Sequence, residues 1–235
     1  MASALITASP LRNNRQLVGR HETLSGRSCC VFMSLRRVPI FPLSILPLPG
    51  ERQVLHIFEP RYILLFRALE NMEIDDFAIA HTSRGNLTGL GTMMRLVVAE
   101  RTGNGEERNA MVQGMDLVQI RSIQTHLPPS PGKPDAWPEG NIDPVPDWRN
   151  WQVSEDCKRE WMEHWIEDRG DKMQMVPPDD LIGFLRQINA PTPLRSRLIR
   201  MRTEGARNQH LASWMKTQRL VRLQERHRQG PIFPN

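Results

Sequence analysis

Residues 39–62 of this 235-residue chain read PIFPLSILPLPGERQVLHIFEPRY. The stretch is a short apolar run, a proline-rich loop closed by Pro49-Gly50, a second apolar run and a corner at Glu59-Pro60-Arg61-Tyr62. Val38 to Phe41 is short, apolar and β-branched at its start, which suits a buried strand. Pro39 restricts that strand to an edge or a strand start. Pro42, Pro47 and Pro49 each remove a backbone donor and fix φ, so 42–50 reads as irregular. Gln53 to Phe58 resumes as a strand. Glu59 precedes a proline and is biased to extended geometry, and Pro60 fits the first helical position. Tyr62, Leu65, Phe66 and Leu69 then recur at three- and four-residue spacing and make one apolar helix face.

The strands continue beyond the corner. Phe77 to His81 is short and apolar, and Thr82 to Gly85 reads as a turn. Gly91 to Ala99 is rich in β-branched and long apolar residues. Arg101 to Arg108 is a polar tip, and Asn109 to Ile123 returns, with a bulge expected at Gly114. Residues 125–150 hold seven prolines and read as loop, with Trp137, Trp148 and Trp151 in or beside it. Those tryptophans either meet a peptide or dock on the body. Helices follow at 154–169, with Ser154 as N-cap and Gly170 as the stop, and at 181–188, capped by Asp179 or Asp180. Two more are expected at 194–201 and 206–228. The last has Leu211, Trp214, Met215, Leu220, Val221 and Leu223 as its apolar residues and a basic opposite face.

Three sequence phrases carry a family resemblance. They are the 39–62 stretch, Gly91-Thr92-Met93-Met94-Arg95-Leu96-Val97, and Met111-Val112-Gln113-Gly114-Met115. Together they resemble the N-terminal, substrate-binding domain of Lon protease, which feeds polypeptide to the ATP-dependent enzyme. The resemblance covers 38–123 most fully and 179–235 more weakly, where small stand-alone Lon-domain proteins similarly carry a helical extension. It implies an α+β fold, with a PUA-like pseudo-barrel β domain, one packed helix and a C-terminal helical subdomain. The corresponding division is 1–33 as an N-terminal extension, 34–124 as the β domain, 125–150 as a proline-rich loop and 151–235 as the helical part. Residues 1–33 are expected to be disordered, either as a transit peptide or as a stretch upstream of the true start at Met33.

Charge is unevenly distributed. Residues 1–37 carry six arginines and one glutamate, net +5; residues 38–194 are net −8; residues 195–235 hold ten basic and two acidic side chains, net +8. A basic C-terminal segment can meet nucleic acid or an anionic surface, or pack on its own acidic body. Cys29, Cys30 and Cys157 lack zinc-site spacing and do not make a disulfide framework, which fits a reducing cytosol. No run of residues approaches the length of a membrane span.

Catalytic signatures are missing from the sequence. There is no GxxxxGK[ST], HExxH or GxSxG pattern. The four lysines, Lys133, Lys158, Lys172 and Lys216, sit outside any motif like the serine–lysine pair of the Lon protease. A Cys157–His164 pair would stand two helical turns apart, beyond hydrogen-bond reach. The expectation is therefore a non-catalytic module with no cofactor and no metal.

Its expected partner is an unfolded or extended polypeptide, or one protein partner, held by Leu46, Leu48, Pro49, Ile57 and Phe58. His56, Glu59, Pro60, Arg61 and Tyr62 form the corner motif, whose bland reading is architectural and whose functional reading is the border of a peptide groove. Nucleic-acid binding through the basic C-terminal helix is the alternative. A purely structural docking role through 125–150 is a third reading.

Overall fold

The structure, a computed structural model, describes residues 36–102, 105–124, 137–164 and 176–228. The expectations for 1–33, for the first part of the proline-rich loop, for the helix end at 165–169 with its stop at Gly170, and for the chain's last seven residues lie outside these.

Six strands, β1 (Arg36–Leu43), β2 (Arg52–Ile57), β3 (Phe77–Ser83), β4 (Asn86–Arg101), β5 (Arg108–Gln124) and β6 (Glu139–Pro144), form one sheet in the order β2-β5-β4-β3-β1-β6. β6 also pairs with β5, so five strands close into a ring and β2 is appended outside it. Only β1–β3 is parallel. β5 is long enough to serve three neighbours: Arg108 to Gln113 pairs with β2, Val118 to Gln124 pairs with β6, and most of its length pairs with β4. The change of partner falls at Gly114. A Cβ there would stand 2.5 Å from the Leu48 carbonyl oxygen, so only glycine lets the proline loop lie against the sheet. The expected bulge is present: Met93 pairs with Asp116 and Met94 with Gly114, leaving Met115 unopposed.

Side chains alternate across the ring as the strand period requires. Val38, Ile40, Ala78, Ala80, Met93, Val118 and Ile142 form one buried cluster, drawn from all five ring strands. Residues of opposite parity, among them Phe41, Phe77, Ile79 and Met94, pack with Leu55 and Ile57 of β2 against α1 (Pro60–Glu70). α1 presents Tyr62, Leu65, Phe66 and Leu69 to that cluster, as the spacing predicts. Phe41 stacks on Tyr62 with ring centroids 4.1 Å apart.

The helical part comprises α2 (Glu155–His164), α3 (Leu181–Gln187), α4 (Thr192–Arg200) and α5 (Glu204–Arg228). Asp180, rather than Asp179, caps α3 by accepting from the Gly183 N–H at 2.6 Å. Trp161, Leu181, Phe184, Leu185, Leu198, Leu211 and Met215 build a third core, which includes Leu46, Leu48, Leu90 and Leu117 from the β part. The two parts thus share buried surface.

Two expectations are corrected. The loop expected at 125–150 contains β6. Pro138, Gly140, Asn141 and Pro144 give it no strand-like signature, yet Gly140 lets it pass close beneath Ile40 and the Ser122 carbonyl, and pairing on both sides holds it. The apolar face of α5 is also shorter than expected. Leu211 and Met215 are buried, whereas Leu220, Val221 and Leu223 are exposed because this end of the helix lies beyond the third core.

Candidate functional site

The proline loop directs its apolar residues inward. Leu46 and Leu48 are 1% and 0% exposed and belong to the core shared with the helices. Pro49 is also buried. The loop is clamped from both sides. Thr92 donates its hydroxyl to the Pro47 carbonyl at 2.6 Å. Buried Arg195 donates to the Leu46 carbonyl at 3.2 Å, to Glu51 at 2.6 Å and to the Ala190 carbonyl at 2.5 Å. Glu51 in turn accepts from the Leu48 N–H at 2.9 Å. A loop tied by a buried ion pair and two leucines is a structural joint.

Ile57 is 1% exposed and faces α1. Four of the five residues expected to touch a peptide are therefore inside the closed fold. A loop lacks the periodicity that tells an inward leucine from an outward one. Phe58 is the exception, at 59% exposed.

Around Phe58 the structure brings together residues that the sequence reading missed. Val54, 68% exposed, pairs with Met111, which pairs with Val98. A register shift between Leu96 and Val98 leaves Val97 and Val98 both outward. An apolar row thus crosses three strands on the face opposite α1, with Phe58 beyond its β2 end. The other edge of β2 carries no strand among the described residues. Its backbone N–H and C=O groups on that side have no ladder partner, which is the usual template for an added strand. The available signal was the alternation in β2 itself: Leu55 and Ile57 inward put Val54 and His56 outward.

The corner motif is held by its own neighbours. His56 Nδ1 lies 3.0 Å from the Asn109 side-chain oxygen, and Nε2 lies 3.4 Å from Glu107. The His56 ring stacks on Phe58 at 5.9 Å. Glu59 pairs with Arg61 at 3.4 Å, and the Arg61 guanidinium sits 5.9 Å from the Tyr62 ring centroid. Glu59 gives α1 no side-chain cap; its carbonyl accepts from the Tyr62 and Ile63 N–H groups instead. Burial, helped by Glu59, raises the Tyr62 phenol above its ordinary pKa. The phenol is accordingly a neutral packing group.

The tryptophans dock on the body. Trp151 is buried beneath the Arg207 guanidinium, Trp148 donates its indole N–H to Asp116, and Trp137 packs against the α1 cluster. Cys157 is fully buried, and its thiol donates to the Asn208 carbonyl. Burial pushes that thiol above its ordinary pKa, away from the thiolate a nucleophile needs. Lys158 lies between Asp179 and Glu155, whose hydrogen bonds raise its pKa, the opposite of what a lysine base requires. Among the described residues no cluster of three or more His, Cys, Asp or Glu side chains could hold a metal, and no helix is long and apolar enough to cross a membrane. Some of the C-terminal basic charge is engaged internally: Arg195 with Glu51, Arg207 over Trp151, and Arg219 with Glu160 at 3.8 Å.

No family model matches the sequence, and no curated protein matches it. Solved structures do resemble the fold. A Lon N-terminal domain protein from Xanthomonas campestris superposes with a TM-score of 0.55 at 18% identity, over 77% of this chain and 99% of that one. The N-terminal domain of Mycobacterium avium complex Lon protease gives 0.56 at 15% identity, over 77% and 98%. At these identities the likeness is one of fold. It matches the α+β architecture that the sequence phrases implied.

Proposed function

We propose that this chain is a non-catalytic module that binds extended or unfolded polypeptide. The observation that carries the reading is the free edge of β2 beside an exposed apolar row. A client strand laid along β2 would gain main-chain hydrogen bonds. Its alternate side chains would cover Val54 and Phe58, with Met111, Val97 and Val98 extending the contact across the sheet. Phe58 is the aromatic anchor, large enough to dominate a small interface. Main-chain recognition reads little sequence, so the binding is sequence-tolerant and weak. The likeness in fold to Lon N-terminal domains, with the substrate-binding role the resemblance implies, supports the same reading. The corner motif then shapes the site without touching chemistry, since His56 stacks behind Phe58 and Glu59 pairs with Arg61.

Fluorescence anisotropy of a labelled unfolded polypeptide titrated with the full chain tests this. The expected dissociation constant is on the order of tens of micromolar and changes little with salt, because few ion pairs contribute. Binding that collapses steeply as salt rises would instead indicate phosphate-like contacts and, with labelled RNA, nucleic-acid binding. Silence at hundreds of micromolar sinks the proposal.

A further inference from the structure

A second concave site lies far from this strip in character, where the β3–β4 hairpin faces α4. It is a cavity of about 650 Å³, within the range of small-molecule sites. Arg84, Arg197 and Arg200 line it, together with six hydroxyl side chains, and no carboxylate lines it among the described residues. Arg200 donates to the Thr88 carbonyl at 2.6 Å. Arg84 and Arg197 have no carboxylate partner among the described residues. Uncompensated guanidinium charge around one hollow is the arrangement that recognises an oxyanion.

Two further features shape the hollow. The first is the start of α4. Thr192, Pro193 and Ser196 line the cavity, and the helix's N-cap, Pro191, offers no side-chain acceptor to its first N–H groups. A nine-residue helix opening on the cavity adds its own partial positive charge. The second is His81. It lines the cavity, is only 5% exposed, and has its Nδ1 buried without a partner among the described residues. The ring hydrogen-bonds to the Ile45 backbone, which holds it in the wall. As part of the cavity wall, the His81 ring reports on what fills the hollow.

We infer that this cavity binds a small molecule bearing a phosphate or diphosphate group, seated between Arg84, Arg197, Arg200 and the start of α4. Three guanidinium groups exceed what a single carboxylate neutralises and suit a multiply charged phosphate. The volume left over accommodates an organic body beside the hydroxyl-lined wall. Nothing in this inference depends on polypeptide binding at β2.

Isothermal titration of the full chain with pyrophosphate, inorganic phosphate and acetate at low ionic strength tests it. The expected order is pyrophosphate tightest, then phosphate, with acetate at least about tenfold weaker than phosphate. Arg84→Gln and Arg197→Gln should each weaken pyrophosphate by about tenfold, because each removes charge-assisted hydrogen bonds. Both side chains are exposed in the free protein, so the variants should melt at the wild-type temperature without ligand. In NMR spectra of the wild type, pyrophosphate should shift the His81 ring signals. Equal binding of acetate and phosphate, variants that bind like wild type, or an unmoved His81 each overturn the inference. RNA binding lost in these variants without pyrophosphate binding would also overturn it, and would assign the site to a nucleic-acid backbone.

Discussion

Replacing Arg195 with methionine should be the most damaging conservative-volume change on the joint between the two parts. The guanidinium is buried and makes three hydrogen bonds, to Glu51, to the Ala190 carbonyl and to the Leu46 carbonyl. Methionine fills much of the space and makes none of them. Glu51, whose side chain is 15% exposed, would keep only the Leu48 N–H as a partner in this group. Removing one partner of a buried pair costs about 3–5 kcal/mol, largely through the charge left behind. The residual exposure of both side chains places this pair at the lower end, about 3 kcal/mol. For a chain of this length that corresponds to a melting temperature lower by roughly 6–12 °C. Urea unfolding of Arg195→Met, Glu51→Gln and the double variant would measure it. The double variant should recover part of the loss, with a coupling of about 1 kcal/mol or more. An Arg195→Met loss below about 1 kcal/mol, or no coupling, would refute the joint, and with it the reason for calling Leu46 and Leu48 structural.

Other outcomes follow from the same geometry. Leu48→Ala should cost about 2–5 kcal/mol in urea unfolding, since the side chain is fully buried in the shared core. Gly114→Ala should destabilise the chain in the same assay, because its Cβ would fall 2.5 Å from a backbone oxygen that the clamped loop cannot easily withdraw. Burial and the neighbouring Arg200 hold His81 below the usual imidazole range, and burial and Arg197 do the same for His210, while the Ile45 carbonyl acts against the shift at His81. Both shifts favour the neutral ring in the folded chain, so their contribution is intact above the unfolded pKa of about 6.5 and is lost as pH falls below it. Melting temperatures between pH 7.5 and 5 should therefore fall less steeply for His81→Gln than for the wild type.

How far the sequence led can be read from particular residues. α1 was legible because Tyr62, Leu65, Phe66 and Leu69 repeat at helical spacing behind Pro60. The β4–β5 hairpin was legible from two apolar runs around a polar tip. β6 was not, because its strand character comes from closing the ring between β1 and β5, and Gly140 and Asn141 oppose it locally. Leu46 and Leu48 were visible as apolar, but their direction depends on helices more than a hundred residues away. Ile57 and Phe58 were read together as one apolar corner, and only the pairing of β2 with β5 separates the buried Ile57 from the exposed Phe58. Its companions Val97, Val98 and Met111 were hidden in strands whose bulges change which residues face outward. The arginine-lined cavity was beyond sequence reading, since it joins Arg84 on a hairpin tip to Arg197 and Arg200 on a distant helix.

The central claim is that extended polypeptide adds to β2, and hydrogen–deuterium exchange on the full chain with and without a saturating unfolded polypeptide addresses it directly. The account predicts added protection at the amides of 52–58, smaller changes along Val97 to Val98, and loss of that protection in Phe58→Ser with the fold intact. Binding that leaves 52–58 unchanged while protecting another surface would contradict it.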